Sequence, residues 1–348
     1  MRLSDHVPTT CAPPADAWGE VNAARPRNRT AARRTQQAMP AYTFAPIRPE
    51  QWPEALALWE KVFGVGAWLF DSLHKGTERR NPEHTRVALD EDGRIVSAVD
   101  VFLREMNDAQ GQPKLVGGIG SVATLEEHRK QGLSGHLLEQ ATEVMEREGC
   151  AWSFLFTGVH HHYERYGWFK TPLRYKASPI LEQPDGEGRE LSHGEIRTFL
   201  PRLAELWRAD HGARPLGNRR TPLYWEHAIY ARMTRPERRV VADALMRAYV
   251  VVQYDESSVA VLEAAGDRGV LARLLGGVAL EALMRGLSQA TSHLPEESWC
   301  DLALLSLGNA WTSAEAPWAM SRAVVEGPET ITAAFAAPGA QHSPLDDF

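Results

Sequence analysis

Residues 129–135, Arg-Lys-Gln-Gly-Leu-Ser-Gly, put a guanidinium, an ammonium and three residues with little or no side chain into seven positions. They separate a strand-like run, "GGIGSVAT" (117–124), from a helix-like one. In the latter, Leu133, Leu137, Leu138, Ala141, Val144 and Met145 share a face that ends at Gly149. A helix N-terminus carries unpaired N–H groups and the positive end of the helix dipole, and small residues let a phosphate reach those amides. The run is either such an anion cradle or a glycine turn with a solvated Arg-Lys pair. It matches neither GxxxxGK[ST] nor GxGxxG, which sets aside a P-loop and a dinucleotide fingerprint. Further on, "HHHYERYGW" (160–168) supplies a phenol, Tyr163, with Tyr166 as a lesser substitute. A phenol with an ordinary pKa of about 10 is a competent proton donor to a departing thiolate; its plainer role would be ring packing. The adjacent His160, His161 and His162 cannot all face one ion from a helix, and no carboxylate or Cys stands at ligand spacing, so no metal is expected. A proton acceptor is harder to find. Asp100 and Glu105 in "SAVDVFLREMN", one histidine of 160–162, or water could serve, and the two carboxylates could equally be solvated strand charges.

The elements that must position these groups are legible from periodicity. "PEQWPEALALWEKVF" places Trp52, Ala55, Leu56, Trp59, Val62 and Phe63 at helical spacing, and "AWLFDSLHKG" predicts a second helix. "TRVALDEDGRIVSAVDVFLREMN" reads as two strands around an Asp-Gly turn, and "KLVGGIGSVATL" as a third. The long helix and a buried strand, "AWSFLF", follow, and strand–helix–strand implies a parallel crossover. The order then repeats: helices in "EIRTFLPRLAELWRADH" and "TPLYWEHAIYARM", strands in "DALMRAYVVVQYD" and "SSVAVLEAA", a helix in "RGVLARLLGGVALEALMRGLS", and a strand in "CDLALLSL". The expected division is a disordered extension (1–40), a first domain (41–180), a similar second one (181–330) begun by the linker-like "LEQPDGEGRE", and a flexible tail (331–348). Met39 is a candidate natural start.

The 348 residues carry a net charge of −7, and residues 1–38 contribute +3 of it, leaving −10 for the remainder. An acidic body disfavours nucleic acid and suits a cationic amine, or is simple solubility charge. No apolar run approaches a membrane span, and no secretory signal is apparent. Cys11, Cys150 and Cys300 stand far apart without a CxxC pair, which suits a reducing cytoplasm. Cys150 is a poor candidate acyl carrier.

"VATLEEHRKQGLSGHLL" resembles motif A of the GCN5-related N-acetyltransferases (GNAT), a strand followed by Arg/Gln-x-x-Gly-x-Gly/Ala at a helix start. Arg129, Gly132 and Ser134 stand at the motif positions, Ser134 replacing the usual Gly or Ala. The resemblance implies an α/β (α+β) fold of tandem domains, each a mixed, mostly antiparallel sheet flanked by helices. It implies that main-chain groups of Val122, Ala123 and Thr124 pair with the pantetheine arm of acetyl-coenzyme A. The amides of Lys130, Gln131, Gly132, Leu133, Ser134 and Gly135 would hold its pyrophosphate beside Arg129. Tyr163 and Gly167 match a later Tyr-x-x-x-Gly-Phe element, with Trp168 for Phe, which implies Tyr163 as general acid. The tandem layout is similar to the enhanced intracellular survival proteins, whose C-terminal carboxylate serves as base. Phe348 ends this chain, but nothing obvious in the sequence carries it to the site. In the second domain "EAAGDRGVL" lacks the motif and Asp267 would repel a phosphate, so no cofactor is expected there. The implied activity is acetyl transfer to a primary amine of a small molecule, peptide or protein, the alternative being a degenerate binding module. Partners are then acetyl-coenzyme A and the amine, with self-association left open.

Overall fold

A computed structural model of the chain describes residues 41–348; the extension expected to be disordered lies outside the described residues. The first half runs β1 (Thr43–Pro46), α1 (Trp52–Phe63), α2 (Ala67–Lys75), β2 (Thr85–Leu89), β3 (Ile95–Asn107), β4 (Pro113–Thr124), α3 (Leu133–Glu148), β5 (Trp152–Phe156), α4 (His160–Glu164), β6 (Phe169–Lys170) and β7 (Leu173–Pro179). The second half runs β8 (Arg189–Glu190), α5 (His193–His211), α6 (Pro222–Tyr224), a π-helical turn (Trp225–Ile229), α7 (Tyr230–Met233), β9 (Arg238–Ala242), β10 (Ala248–Tyr254) and β11 (Ser258–Gly266). It ends with α8 (Arg268–Met284), β12 (Gln289–Ser292), α9 (Ser298–Leu304), β13 (Thr312–Ala316), β14 (Ala319–Ala323) and α10 (Pro328–Ala336).

Local chemistry sets several boundaries. Gly64 and Gly149 adopt left-handed φ of 65° and 73° and close α1 and α3, where a side chain would be strained. Ser192 and Glu195 form a reciprocal capping box that starts α5. The Asp90–Gly93 turn joins β2 to β3, with Gly93 at φ 78°. Leu137, Leu138, Ala141 and Met145 of α3 are fully buried in the core of the first sheet.

Two seven-stranded mixed sheets result, ordered β1-β2-β3-β4-β5-β14-β6 and β8-β9-β10-β11-β12-β7-β13. Each has one parallel pair at the same place, β4 with β5 and β11 with β12. Position for position the orders coincide, so the chain is a tandem pair of α/β domains. The sixth places are exchanged: β7 serves the second sheet, and β14, late in the chain, slots between β5 and β6 of the first.

Three local expectations are corrected. "CDLALLSL" lies in and just beyond helix α9; the strand after α8 is the shorter β12, whose "QATS" carries almost no apolar signal. β9, "RRVVA", carries little strand signal because two of its five residues, Arg238 and Arg239, interrupt the apolar run. The tail is not loosely held: residues 341–347 are buried as a strap between the domains.

Candidate active site

The candidate site forms where β4 leaves β5. The two strands pair only from Val116–Trp152 to Gly118–Phe154, while β4 continues to Thr124. The divergence has a local cause: the β3–β4 register slips between Ala98 and Asp100, and Ser121 takes φ 52°. The indole of Trp59 donates to the Ser121 carbonyl at 2.8 Å and fixes the bulge. From Ile119 to Thr124 the β5 side of β4 therefore has no strand partner among the described residues, and Val122, Ala123 and Thr124 lie on this splayed stretch.

The turn into α3 is shaped by two left-handed residues, Lys130 (φ 64°) and Gly132 (φ 80°). No side chain caps α3, so its first amides are open to a ligand. A Cβ on Gly132 would meet nothing within 4 Å; glycine is required there by conformation. Gly135 differs. A Cβ there would lie 1.8 Å from the Tyr166 hydroxyl, so its smallness admits Tyr166 rather than a phosphate. Arg129, Lys130 and Gln131 are exposed at the mouth, with Arg129 Nε donating to Thr124 O at 3.3 Å. The Leu133 side chain is buried, leaving only its main chain at the turn. Ser134 Oγ stands 3.4 Å from His162 Nε2, and burial, then Arg165 and His161, lower the pKa of that imidazole.

A cavity of about 230 Å³ continues from the bulge, bounded by Gly120, Ser121 and Val122, by Tyr163, by Phe70 of α2 and by Phe348. Tyr163 is buried, which pushes its phenol well above the usual value, against a partly offsetting hydrogen bond with Thr157. The strap carries Phe348 here. A Cβ on Gly118 would lie 1.9 Å from the Phe348 ring, and one on Gly120 2.8 Å from the Phe348 main-chain carboxyl carbon. The glycines of "GGIG" were the available signal: glycine inside a strand marks a close approach. The remaining one, Gly117, faces Met145 Sδ.

The strap is clamped by ions without solvent access. Arg220 lies 2.5 Å from Glu263 and 2.9 Å from Asp346, all at most 2 % exposed. Tyr249 and Ser343 donate to Glu263 at 2.8 and 2.9 Å. Arg104 and Arg232 donate to the main-chain carbonyls of Asp346 and Asp347.

The other candidate bases lie elsewhere. Asp100 is buried behind the cavity wall, accepting from or sharing a proton with His74 Nε2 at 2.9 Å, beside Trp52 and Trp59. Glu105 sits at a separate interdomain cleft, 3.6 Å from Arg79. His161 is exposed and His160 Nε2 is buried without a partner. Among the described residues no three metal-ligating side chains converge. Cys150 and Cys300 are free and buried; burial pushes the Cys150 thiol up to about 12, which suits packing rather than acyl carriage.

At the corresponding junction of the second domain Asp267 caps α8, its carboxylate accepting from Val270 N at 2.9 Å. The helix start that holds an opening in the first domain is closed by a carboxylate in the second.

Residues 43–170 match the acetyltransferase (GNAT) domain model. A crystal structure of a protein of unknown function from Enterococcus faecalis V583, described as a probable N-acyltransferase, aligns with TM-score 0.59 at 15% identity, over 82% of this chain and 73% of that one. Eis1 of Mycobacterium abscessus aligns with TM-score 0.51 at 13% identity, over 82% and 74%. Saccharomyces cerevisiae N-myristoyltransferase with bound myristoyl-CoA aligns with TM-score 0.53 at 10% identity, over 94% and 91%. Likeness at these identities concerns the fold. No curated protein matches the chain in sequence.

Proposed function

We propose, for a chain whose residues 43–170 match the GNAT acetyltransferase domain model, that it moves an acetyl group from acetyl-coenzyme A to a primary amine by direct attack. One observation carries the reading: the open stretch of β4, the Tyr163 phenol and the main-chain end of Phe348 border a single cavity. In this reading Val122, Ala123 and Thr124 hold the pantetheine arm. The amides from Lys130 to Gly135, with Arg129, hold the pyrophosphate, using the positive end of α3.

The amine nitrogen attacks the thioester carbon, a C–N bond forms, and the C–S bond breaks. In this reading main-chain N–H groups at the β4 bulge stabilise the oxyanion that develops between these events. Tyr163, held protonated by burial, gives its proton to the departing sulfur. For a chain that ends at Phe348, the terminal carboxylate takes the amine proton. Asp100 and Glu105 are less suited, since neither borders the cavity. The aromatic wall (Phe63, Phe70) and the Arg235–Glu237 pair at 2.5 Å favour an amine carried on an apolar group. No helix among the described residues is long and apolar enough to cross a membrane; with both described cysteines free, a cytoplasmic location completes the proposal.

The test is thiol release from acetyl-coenzyme A in the presence of polyamines, aminoglycosides and peptides. Longer acyl donors belong in the panel because one structural neighbour is described with bound myristoyl-CoA. Absence of coenzyme A binding by calorimetry at millimolar concentration would end this reading. Binding without turnover of any donor would favour a module that senses the cofactor.

A further inference from the structure

A separate cavity of about 160 Å³ opens between the residues after α2, the middle of β3 and the segment leading into α6. Three of its lining side chains are at least nine-tenths buried: Arg104 (8 % exposed), Tyr224 (5 %) and Asn218 (2 %). All three carry buried polar atoms that find no protein partner: Arg104 Nε and Nη2, the Tyr224 hydroxyl, and both amide atoms of Asn218. Arg104 Nη1 donates to the Asp346 carbonyl, and the rings of Tyr224 and Phe348 lie 4.7 and 4.5 Å from the guanidinium carbon. No carboxylate stands within ion-pair distance of Arg104 among the described residues; Asp346 and Asp347 favour its charge only from further off, against the burial that opposes it. Arg219 and Arg79 add positive charge to the lining, against Glu105 and Glu78.

The unpartnered groups are mostly donors gathered around a cation, and Asn218 Oδ1 is the one pure acceptor. That set complements a planar or tetrahedral oxyanion, two of whose oxygens a guanidinium can engage. We propose that this cavity binds a small oxyanion, a carboxylate or a phosphate, with its charge against Arg104 Nε and Nη2. It is distinct from the acyl-transfer cavity, and the proposal stands whether or not that reading holds. Because the same guanidinium rests on the Phe348 ring, an anion bound here also steadies the end of the strap.

Sodium acetate and sodium phosphate, each titrated into the full chain at ionic strength held constant with sodium chloride, supply the test by calorimetry and thermal midpoint. The expected result is saturable binding of at least one of them. Acetate alone identifies a carboxylate ligand, phosphate alone a phosphate, and both a general oxyanion site. Asn218→Asp, which sets a carboxylate in the cavity, should weaken binding at least tenfold. Tyr224→Phe removes a hydroxyl that has no protein partner, keeps the fold, and should weaken binding several-fold. Signals no greater than those with chloride, or equal in both variants and the parent, would mean a water-filled cavity and overturn the proposal.

Discussion

Tyr163 and Phe348 meet at one cavity although far apart in the sequence, and their roles separate by experiment. Tyr163→Phe keeps the buried ring and removes the proton donor, so kcat should fall about 10²-fold or more while the donor KM stays within a few-fold. An unchanged kcat would assign Tyr163 to packing alone. For a chain that ends at Phe348, appending one residue moves the carboxylate and should lower kcat while leaving coenzyme A affinity intact. Equal kcat in the extended chain would remove the terminal carboxylate as base. Legibility at this scale divides along the same line. Arg129, Gly132 and Tyr163 were visible because each lies in a short local pattern of turn, helix start and aromatic element. Phe348 entered only through the family resemblance, and its route to the site was hidden because it depends on a strap from far along the chain. Its imprint, the run "GGIG", reads in isolation as a flexible strand.

The strap acts as an element although it has little regular structure, a 3-10 turn at Pro344–Asp346 being its one helical segment. Its hold comes from Arg220, shared by Glu263 and Asp346, with the guanidinium carbon 4.3 Å from the Trp207 ring centre. Burial alone would raise the Asp346 carboxyl, but the charge and hydrogen bonds of Arg220 outweigh it and hold the group below its usual value. Asp346→Ala leaves Arg220 with Glu263 alone and frees the end of the chain. A loss of about 3 kcal/mol is expected in denaturant unfolding, together with a lower kcat. Full stability and full activity in that variant would mean the strap does not depend on the clamp. Helix periodicity and capping made most elements readable, and β12, β9 and the strap escaped for one shared reason. Each is short, and its place is set by neighbours: β12 lies between β11 and β7, and β9 is covered on one side by β10. The exchange of β7 and β14 was equally invisible, since nothing local distinguishes a strand that crosses over from one that stays.

At the scale of the whole molecule two similar sheets differ at the equivalent helix start. α3 begins at Gly132 with no capping side chain, whereas α8 begins with Asp267 bonded to its own third amide. A carboxylate in that position both satisfies the donor and repels phosphate. Calorimetry should therefore give one equivalent of coenzyme A per chain, and two equivalents would refute the expectation that the second domain binds none. What that domain supplies is burial, and burial has a pH signature. His293 Nε2 is enclosed without a partner, and desolvation lowers the ring to about 4; buried His211 shifts the same way. Below the ordinary histidine pKa of about 6.5 the unfolded chain binds a proton that the folded chain refuses. The stabilising contribution is thus complete above pH 6.5 and is lost as pH falls toward 4. His293 removes up to about 1.4 kcal/mol per pH unit over that window. Unfolding followed from pH 7.5 to 5.5 should show this decline, and His293→Gln should flatten it. A slope identical in the variant would mean that His293 takes its proton inside the fold, and hence that water reaches the ring between the two domains.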